Sequence, residues 1–205
     1  MSLKIYGIAA SRAIRPLWAA EELGLPYEHI KLHYNAPETR QRPYLDLNPN
    51  GTVPAMEEDG LAMFESLAMT LHLARKHGQG TLWPAGEGPQ AQVLQWTLWA
   101  ACEAEPPARQ WFQHTQFLPQ AQRDPALAQT GLRQAQDKVM LLDRILAQRA
   151  YLVGDAFTVA DLNVSAVLQR LPAIADGQAP HALAWHQRCF ERAAAQRAFA
   201  LREAK

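Results

Sequence analysis

Three short segments in the first third of the chain carry residues that could bind one ligand together. The first is Val53-Pro54, where a proline just inside an apolar, strand-like run cannot donate a hydrogen bond to a neighbouring strand. A cis bond before Pro54 would turn the N–H and C=O of Val53 outward, where an extended peptide-like ligand could pair with them as an added strand does. The alternative is an ordinary proline in an edge strand.

The second segment is Glu65-Ser66, at the point where a strand pattern gives way to a helix pattern. The N–H and hydroxyl of Ser66 at a helix N-terminus could bind a carboxylate, and Glu65 could bind an ammonium group. Together they suit the head group of an amino acid, which carries both charges. The alternative is that Ser66 only caps the helix.

Ser11 is the third candidate, because it lies between the first predicted strand and the first predicted helix. A hydroxyl at a helix N-terminus can donate a hydrogen bond to a bound thiolate, and this position lowers the pKa of a thiol from its usual value of ~8.5. Arg12 could add positive potential. The alternatives are that Ser11 is an N-cap residue, or that Tyr6 supplies the hydroxyl from within the strand.

The elements that would position these residues follow from hydrophobic periodicity and turn residues. Residues 1–79 show the order strand, helix, strand, helix, strand, strand, helix. Tyr27 to Leu32 reads as the second strand, residues 48–51 form a dense turn signal, and Asp59-Gly60 is a hairpin turn pair. These patterns predict a mixed α/β domain.

The rest of the chain shows only helical patterns. Residues 80–89 are rich in Gly and Pro and predict a linker, which leaves residues 90–205 as an all-helical domain. Asp124-Pro125 predicts an N-cap followed by proline at the first helical position. Thr158-Val159-Ala160-Asp161 has the spacing of a capping box.

Composition excludes several classes of protein. The 205-residue chain has 20 Lys and Arg against 20 Asp and Glu, and this zero formal net charge argues against a nucleic-acid-binding protein and a basic membrane-surface protein. No apolar run approaches the ~18–20 residues that span a bilayer, and the first residues show no secretory signal. Zinc-type ligands do not cluster in sequence. We therefore expect a cytoplasmic globular protein without metal, nucleic-acid or membrane partners.

The three segments together resemble the glutathione S-transferase family. The run from Ser11 to Trp18, continuing to Glu28, resembles the first βαβ unit of the bacterial members, and residues 48–54 look like their turn and cis-proline segment. Phe64-Glu65-Ser66 is similar to their glutathione motif, and residues 157–161 are similar to the capping box of their helical domain. The motifs occur in the family's order and span nearly the whole chain.

This resemblance implies an α/β thioredoxin-like N-terminal domain, an all-α C-terminal domain and a homodimer. It implies that Val53 pairs through its backbone with the cysteinyl part of glutathione, positioned by a cis Pro54. It also implies that Glu65 and Ser66 hold the γ-glutamyl head and that Ser11 stabilises the glutathione thiolate.

The resemblance does not assign a single residue to the glycyl carboxylate of glutathione. Thr52 stands where relatives often have Lys or Gln before the Val-Pro pair, so one polar contact is expected to come from elsewhere. Arg40, Gln41 and Arg42 are all candidates, and we carry Thr52, Arg12 and Arg42 forward as glutathione-binding residues.

Cysteine placement separates the possible chemistries. Relatives that react through a protein thiol resemble this chain but need a cysteine where Ser11 stands. The two cysteines, Cys102 and Cys189, fall in helical and mostly apolar contexts, and we expect both to be buried and unreactive. Activation of glutathione's own thiol is therefore the expected chemistry.

The expected activity is a glutathione transferase reaction, in which the thiolate attacks an electrophilic carbon of a small hydrophobic molecule. Glu105-Pro106-Pro107 should interrupt a long helix, and we predict that Trp111 and Phe112 beyond it line the hydrophobic pocket, between the two domains. Two alternatives stay open. The same thiol could serve an isomerase, dehalogenase or peroxidase, or the fold could be a non-catalytic binding module.

Overall fold

The computed structural model describes residues 2–202, and contacts divide them into two units. Unit 1 contains residues 2–85 together with 190–202, and unit 2 contains residues 86–189. The sequence placed residues 190–202 in the helical domain, whereas the contacts group them with the N-terminal unit. The boundaries 1–79, 80–89 and 90–205 stay a prediction for the domains.

The elements follow the predicted order closely. The strands are β1 (Leu3–Tyr6), β2 (Glu28–Ile30), β3 (Ala55–Glu58) and β4 (Leu61–Phe64). The helices are α1 (Ile14–Glu22), α2 (Tyr44–Leu47), α3 (Ser66–His77), α4 (Glu87–Trp99), α5 (Glu105–Phe112), α6 (Pro125–Leu146), α7 (Val159–Val167), α8 (Leu171–Ala175), α9 (Pro180–Phe190) and α10 (Ala193–Ala200). Short 3-10 turns lie at Pro37–Arg40 and Gln120–Gln122.

Unit 1 is built on a four-stranded sheet in the order β2-β1-β3-β4. β1 pairs parallel with β2 and antiparallel with β3, and β3 pairs antiparallel with β4. The predicted hairpin is confirmed, since Asp59 and Gly60 both have positive φ, 49° and 88°, as a tight hairpin turn requires. β2 is shorter than the predicted run from Tyr27 to Leu32.

The core of unit 1 is centred on α1. Trp18 is fully buried, and its ring packs against Phe190 at 5.4 Å and Phe199 at 5.8 Å between centroids. An ion pair also joins α1 to the segment that precedes α10, because Arg192 donates two hydrogen bonds of 2.7 Å to the Glu22 carboxylate. Residues 190–202 therefore complete a core that begins near the N-terminus.

The buried helix α7 is the centre of unit 2, and its start is the predicted capping box. The Thr158 hydroxyl accepts a hydrogen bond from Ala160 N–H, and the Asp161 carboxylate accepts one from Thr158 N–H at 3.0 Å. Asp161 also accepts from Leu152 N–H at 2.8 Å and from Trp185 Nε1 at 2.9 Å. One buried carboxylate thus joins α7 to α9 and to the loop before α7.

The stretch from α4 through α5 is continuous but changes its winding twice. Residues Ala100–Ala104 and Gln113–Phe117 are π-helical, and Leu118 N–H donates to Gln113 O at 3.0 Å, five residues back. The first π segment ends just before Glu105-Pro106-Pro107, where the sequence predicted an interruption. The helix changes its winding there but is not interrupted, because the two prolines occupy the first turn of α5. The predicted Asp124 cap of α6 is confirmed, since its carboxylate accepts from the N–H groups of Ala126 and Leu127.

Helices α5 and α6 approach each other at Gly131. A Cβ atom there would lie 2.7 Å from Trp111 N and 2.8 Å from Pro107 O, so only glycine permits this backbone contact. In the described part of the chain, no helix has the length and apolar character needed to cross a membrane. Residues 2–202 also contain no group of three or more His, Cys, Asp or Glu side chains arranged to hold a metal ion.

Candidate functional site

The loop between β1 and α1 brings Ser11 close to Val53. Gly7 has a φ of 129°, and a Cβ atom on it would lie 2.9 Å from Ala13 Cβ, 3.1 Å from Val53 Cβ and 3.5 Å from Ser11 Oγ. A side chain at position 7 would therefore separate the two candidate residues. Glycine at this position lets two predicted site residues, 42 positions apart in sequence, share one small region.

The hydroxyl of Ser11 is held by its own loop. It donates a hydrogen bond of 2.7 Å to Ile8 O and accepts one of 3.1 Å from Ala13 N–H. The N-cap interpretation of Ser11 is wrong, because α1 begins at Ile14 and its N-cap residue is Ala13. Two tight turns over residues 8–13 delay the helix. Ser11 is half-buried, with its oxygen fixed and its proton able to turn toward another acceptor.

Val53 presents its main chain without a partner in the sheet. The Val53–Pro54 bond is cis, as predicted, and β3 begins only at Ala55. Val53 is half-buried while Pro54 is buried. Within residues 2–202, the N–H and C=O of Val53 form no hydrogen bond. Both groups are therefore available to an extended ligand lying beside them.

A buried asparagine holds the segment that carries Val53. The side chain of Asn48 is 2% exposed, and its Nδ2 donates to Thr52 O at 2.6 Å while its Oδ1 accepts from Asn50 N–H at 3.0 Å. The hydroxyl of Tyr44 donates to the same Thr52 carbonyl at 2.7 Å, and burial raises the pKa of Tyr44 to about 12. The sequence indicated a turn here but not that Asn48 anchors it.

Glu65 adopts a backbone conformation that a glutamate rarely takes. Its φ is 69° and its ψ is 100°, and the residue lies exposed between β4 and α3. Positive φ in a residue with a Cβ atom costs on the order of 1–3 kcal/mol and is concentrated at functional sites. This strained backbone conformation occurs at the N-cap position of α3, directly before Ser66.

Ser66 is the first residue of α3 and is buried. Its hydroxyl accepts a hydrogen bond of 3.0 Å from Nη1 of Arg15. A serine hydroxyl that accepts from an arginine keeps its own proton for donation to a further group, such as a carboxylate. Ser66 thus contacts α1 rather than capping α3.

Arg15 is a residue that the motif analysis missed. It lies in the first turn of α1 and is only 4% exposed, although its neighbours Ile14 and Leu17 form an apolar face. A charged residue within that face was the available signal, because arginine is rarely buried without partners. Arg15 joins the Ser66 segment to the helix that follows the Ser11 loop.

The remaining predicted glutathione-binding residues lie at the surface of unit 1. Arg12, Thr52 and Arg42 are exposed, and Arg42 forms an ion pair of 3.3 Å with Asp46 of α2. In the part of the chain that the structure describes, neither Thr52 nor Arg42 forms a hydrogen bond with Ser11 or Ser66. Arg40 lies beside the turn, since its Cδ would be 2.9 Å from a Cβ on Gly51.

Tyr6, the alternative hydroxyl, packs on another ring. Its ring centroid lies 6.1 Å from that of Tyr44 in an edge-to-face arrangement. Burial, followed by the nearby Glu57 and Glu28, raises the pKa of Tyr6. The choice between Ser11 and Tyr6 stays a prediction, and Ser11 is the candidate whose hydroxyl lies near Gly7 together with Val53.

Unit 2 separates the two predicted pocket aromatics. Trp111 is 9% exposed and belongs to the core of the helix bundle, whereas Phe112 is half-buried. Phe112 stacks against the guanidinium of Arg170, with 3.6 Å from Cζ to the ring centroid, and lies 5.8 Å from the ring of Phe117. That Trp111 and Phe112 line a hydrophobic pocket stays a prediction, and only Phe112 of the two is accessible from outside the core of unit 2.

One cysteine differs from expectation. Cys189 is buried, but Cys102 is exposed. The reason is local, because Cys102 lies within the π-helical segment Ala100–Ala104, where each turn holds an extra residue and the helix face shifts. The interpretation of Cys102 as a buried thiol is wrong.

Comparison with known proteins gives consistent matches in both units. The N-terminal domain model of glutathione S-transferases matches residues 1–75, and the C-terminal domain model matches residues 93–193. The chain is 31% identical over 206 residues to glutathione S-transferase 4 of Zea mays, covering 96% of this chain and 91% of that protein.

Two solved structures are similar over nearly the whole chain. One is the theta class glutathione S-transferase of Xanthomonas axonopodis pv. citri with glutathione bound, with a TM-score of 0.87, 29% identity and 96% of each chain covered. The other is glutathione S-transferase I from maize in complex with an atrazine glutathione conjugate, with a TM-score of 0.88, 27% identity and 98% of each chain covered.

Proposed function

Because the chain belongs to the glutathione S-transferase family, we propose that it activates the thiol of glutathione for attack on a small hydrophobic electrophile. The observation that carries this proposal is the convergence of Ser11 and Val53 on Gly7. A tripeptide paired with the main chain of Val53 would have its central cysteinyl residue beside the Ser11 hydroxyl.

Glutathione would be held at three points of unit 1. The main-chain N–H and C=O of Val53 pair with the cysteinyl residue, as an added strand would. At the γ-glutamyl end, Glu65 binds the ammonium group and Ser66 donates its hydroxyl proton to the carboxylate, while Arg15 fixes the Ser66 oxygen. The similar structure from Xanthomonas axonopodis pv. citri contains bound glutathione, which supports this ligand.

The glycyl carboxylate is assigned to the exposed groups near the turn. Thr52 directly precedes Val53, and Arg42 lies just before α2. Arg12 adds positive charge next to Ser11. For Arg42 to bind the carboxylate, it must exchange its ion pair with Asp46, which an 83% exposed side chain does at little cost. Arg40 competes for this role because it lies against Gly51.

The chemistry then needs one hydrogen bond to change partner. The Ser11 proton, which points to Ile8 O in the structure, turns to the glutathione sulfur and stabilises its thiolate. The thiol proton is released to water. The thiolate electron pair then forms a bond to the electrophilic carbon, and the leaving group departs with the electron pair of its broken bond. Holding both reactants supplies the remainder of the rate enhancement. Phe112 is our proposed contact for the electrophile, with Trp111 behind it in the core.

The test is Ser11→Ala against wild type, with a chlorodinitrobenzene as electrophile. We expect kcat/KM to fall about 10- to 100-fold and the pKa of the bound thiol, read from the pH dependence of kcat/KM, to rise by about one unit or more. Ser11→Thr keeps a hydroxyl and should retain most of the activity.

Ser165→Ala is the matched control, since the Ser165 hydroxyl also donates to a carbonyl, that of Leu162, but lies in unit 2. Unchanged kcat/KM and thiol pKa in Ser11→Ala would show that Ser11 does not stabilise the thiolate. A wild-type protein that fails to bind glutathione at millimolar concentration would overturn the whole proposal.

We also propose that the protein is a cytoplasmic homodimer. Support for the dimer comes from Leu94 and Leu98, which lie one turn apart on α4 and are 46% and 64% exposed. Adjacent exposed leucines on one helix face favour an interface. Sedimentation velocity of the full chain, with and without Leu98→Glu, measures the oligomeric state directly.

A further inference from the structure

A side chain far along the sequence holds the loop that carries Ser11. Arg202, which follows α10, donates a hydrogen bond from Nε to Ala9 O at 3.1 Å, across 193 positions of sequence. Ala9 lies two residues before Ser11, and both ends of this contact belong to unit 1. The guanidinium of Arg202 also lies over the ring of Phe199, with 4.4 Å from Cζ to the ring centroid. This stacking restricts the directions in which its N–H groups can point.

Two other arginines of the same segment bind α1 itself. Arg192 donates to the Glu22 carboxylate, and Nε of Arg197 donates to the Glu21 carboxylate at 2.6 Å. Glu21 and Glu22 are the last two residues of α1. Arg202 differs from both arginines, because its acceptor is a main-chain carbonyl in the loop before the helix.

The proposed reaction requires this loop to keep its shape while one of its hydrogen bonds is lost. When the Ser11 hydroxyl turns from Ile8 O to the glutathione sulfur, Ile8 O retains the hydrogen bond of 2.9 Å from Ser11 N–H. The carbonyls on either side of Ile8 have donors from outside the loop. His29 Nε2 of β2 donates to Gly7 O at 2.8 Å, and Arg202 donates to the carbonyl of residue 9. These two bonds do not have to change during the reaction.

We propose that Arg202 is a positioning residue, which holds Ala9 O so that the Ser11 hydroxyl stays where it meets the glutathione sulfur. The inference rests on the proposed function. A donor that is already in place stabilises a developing anion without the cost of reorganisation. Arg202 acts through the loop and contacts neither glutathione nor the electrophile.

The experiment is a double-mutant cycle with Arg202→Met and Ser11→Ala. Methionine removes the N–H donors of Arg202 and keeps an apolar stem to pack on Phe199. With Ser11 present, we expect Arg202→Met to lower kcat about 5-fold, with KM for glutathione changed less than about 2-fold. It should also raise the pKa of the bound thiol by about half a unit. In the Ser11→Ala background it should lower kcat less than about 2-fold, because the hydroxyl it positions is gone. Equal effects in both backgrounds would overturn the proposal.

Arg197→Met is the matched control, because it removes the same charge from the same segment but binds α1 rather than the loop. It should leave kcat and the thiol pKa at their wild-type values. Salt separates positioning from a direct effect of the Arg202 charge on the thiolate, since salt screens interactions between exposed charges. The difference in thiol pKa between wild type and Arg202→Met should persist at high salt. A difference that disappears with salt would contradict the positioning role.

Amide hydrogen exchange without glutathione tests the loop independently of activity. Residues 8–13 should exchange faster in Arg202→Met than in wild type or in Arg197→Met. Unchanged exchange in this loop would overturn the proposal. Failure of the proposed function would look different, because wild type would then not bind glutathione, while the faster exchange in Arg202→Met would remain. An active transferase whose Arg202→Met variant has wild-type kinetics would contradict only the positioning role.

Discussion

At the scale of single residues, the site depends on conformations and contacts that local sequence rules disfavour. Glu65 has positive φ, and Arg15 is buried on an apolar helix face. Each carries a stability cost that a packed core would avoid. Arg15 contacts Ser66 and Glu65 directly precedes it, which agrees with the role that we propose for this segment in binding the γ-glutamyl head.

Replacing Glu65 separates its effect on the stability of the protein from its effect on glutathione binding. Glu65→Gly relieves the positive φ, so we expect the free energy of unfolding to stay equal or to rise by about 1 kcal/mol. The same change removes the carboxylate, and glutathione affinity should fall about 10-fold or more. Urea unfolding and calorimetric titration measure the two quantities.

Glu65→Gln serves as the control for Glu65→Gly, because it keeps the backbone conformation and removes only the charge. It should lose affinity without gaining stability. A glycine variant that binds glutathione as tightly as wild type would show that Glu65 does not contact the ligand.

At the scale of elements, the hairpin of β3 and β4 is joined to α3 by a buried carboxylate. The Glu58 side chain is fully buried and accepts from Nε2 of His72 and of His77, each at 2.5 Å, and from Lys76 Nζ at 3.0 Å. Burial acts to raise the pKa of Glu58, but the hydrogen bonds from His77, His72 and Lys76 outweigh it and hold the pKa below its ordinary value of 4.5.

This cluster predicts a pH dependence of stability. Because the folded-state pKa of Glu58 lies below the unfolded value, its contribution is complete above about pH 4.5 and is lost as pH falls through the lower, folded-state pKa. We expect Glu58→Gln to lower the free energy of unfolding at pH 7 by about 3 kcal/mol and to flatten its dependence on pH below 4.5. Urea unfolding across this range measures both.

The control for Glu58→Gln is Glu57→Gln, its neighbour on β3. It should leave the pH dependence of wild type intact. If Glu58→Gln and wild type lose stability in parallel on acidification, the buried carboxylate is not the group that titrates.

Helices α5 and α6 give a second prediction at this scale. Alanine usually stabilises a helix relative to glycine, but at Gly131 its Cβ would lie 2.7 Å from Trp111 N. Gly131→Ala should therefore destabilise the protein by about 1–3 kcal/mol, measured by thermal or urea unfolding. Gly88→Ala in α4 has no atom within 4 Å of the new Cβ and should be neutral or slightly stabilising. Equal effects at both positions would contradict a backbone contact at Gly131.

Sequence reasoning succeeded where the determinants are local. The hairpin turn at Asp59-Gly60, the Asp124 cap and the Thr158–Asp161 capping box depend on residues a few positions apart, and all three are present. The Arg15–Ser66 contact joins residues 51 positions apart, and periodicity alone carries no signal for it. The π-helical segments were also not predicted, because hydrophobic periodicity does not distinguish a short π-helical segment from an α-helix.

At the scale of the whole molecule, the first and the last described segments of the chain, residues 2–85 and 190–202, belong to one unit. The sequence pattern predicted a single domain boundary after about residue 80. Residues 190–202 show the same helical periodicity as residues 90–189, so the pattern assigns them to the helical domain. The rings of Phe190 and Phe199 pack on Trp18 of α1, and no local pattern could reveal that pairing. The loop that holds Ser11 leads directly into this helix, so the end of the chain supports the candidate site indirectly.

This arrangement predicts the effect of Phe199→Ala. Removing that ring should cost about 2–4 kcal/mol of stability and raise amide hydrogen exchange in α1, followed by mass spectrometry. Glutathione affinity should fall as well, because α1 carries Arg15. Leu127→Ala, at a 42% exposed position in unit 2, is the control and should leave exchange in α1 unchanged. Undisturbed exchange in α1 of Phe199→Ala would contradict a supporting role for the last helix.

The pairing of Trp18 with Phe190 and Phe199 also sets an order of events during synthesis. Phe190 and Phe199, which pack on α1, leave the ribosome only after every residue of unit 2 has been synthesised. Until then a large indole surface has no partner from residues 190–202. A product of interrupted translation therefore displays this surface permanently, and chaperones and proteases that bind exposed aromatic groups can distinguish it from the finished protein.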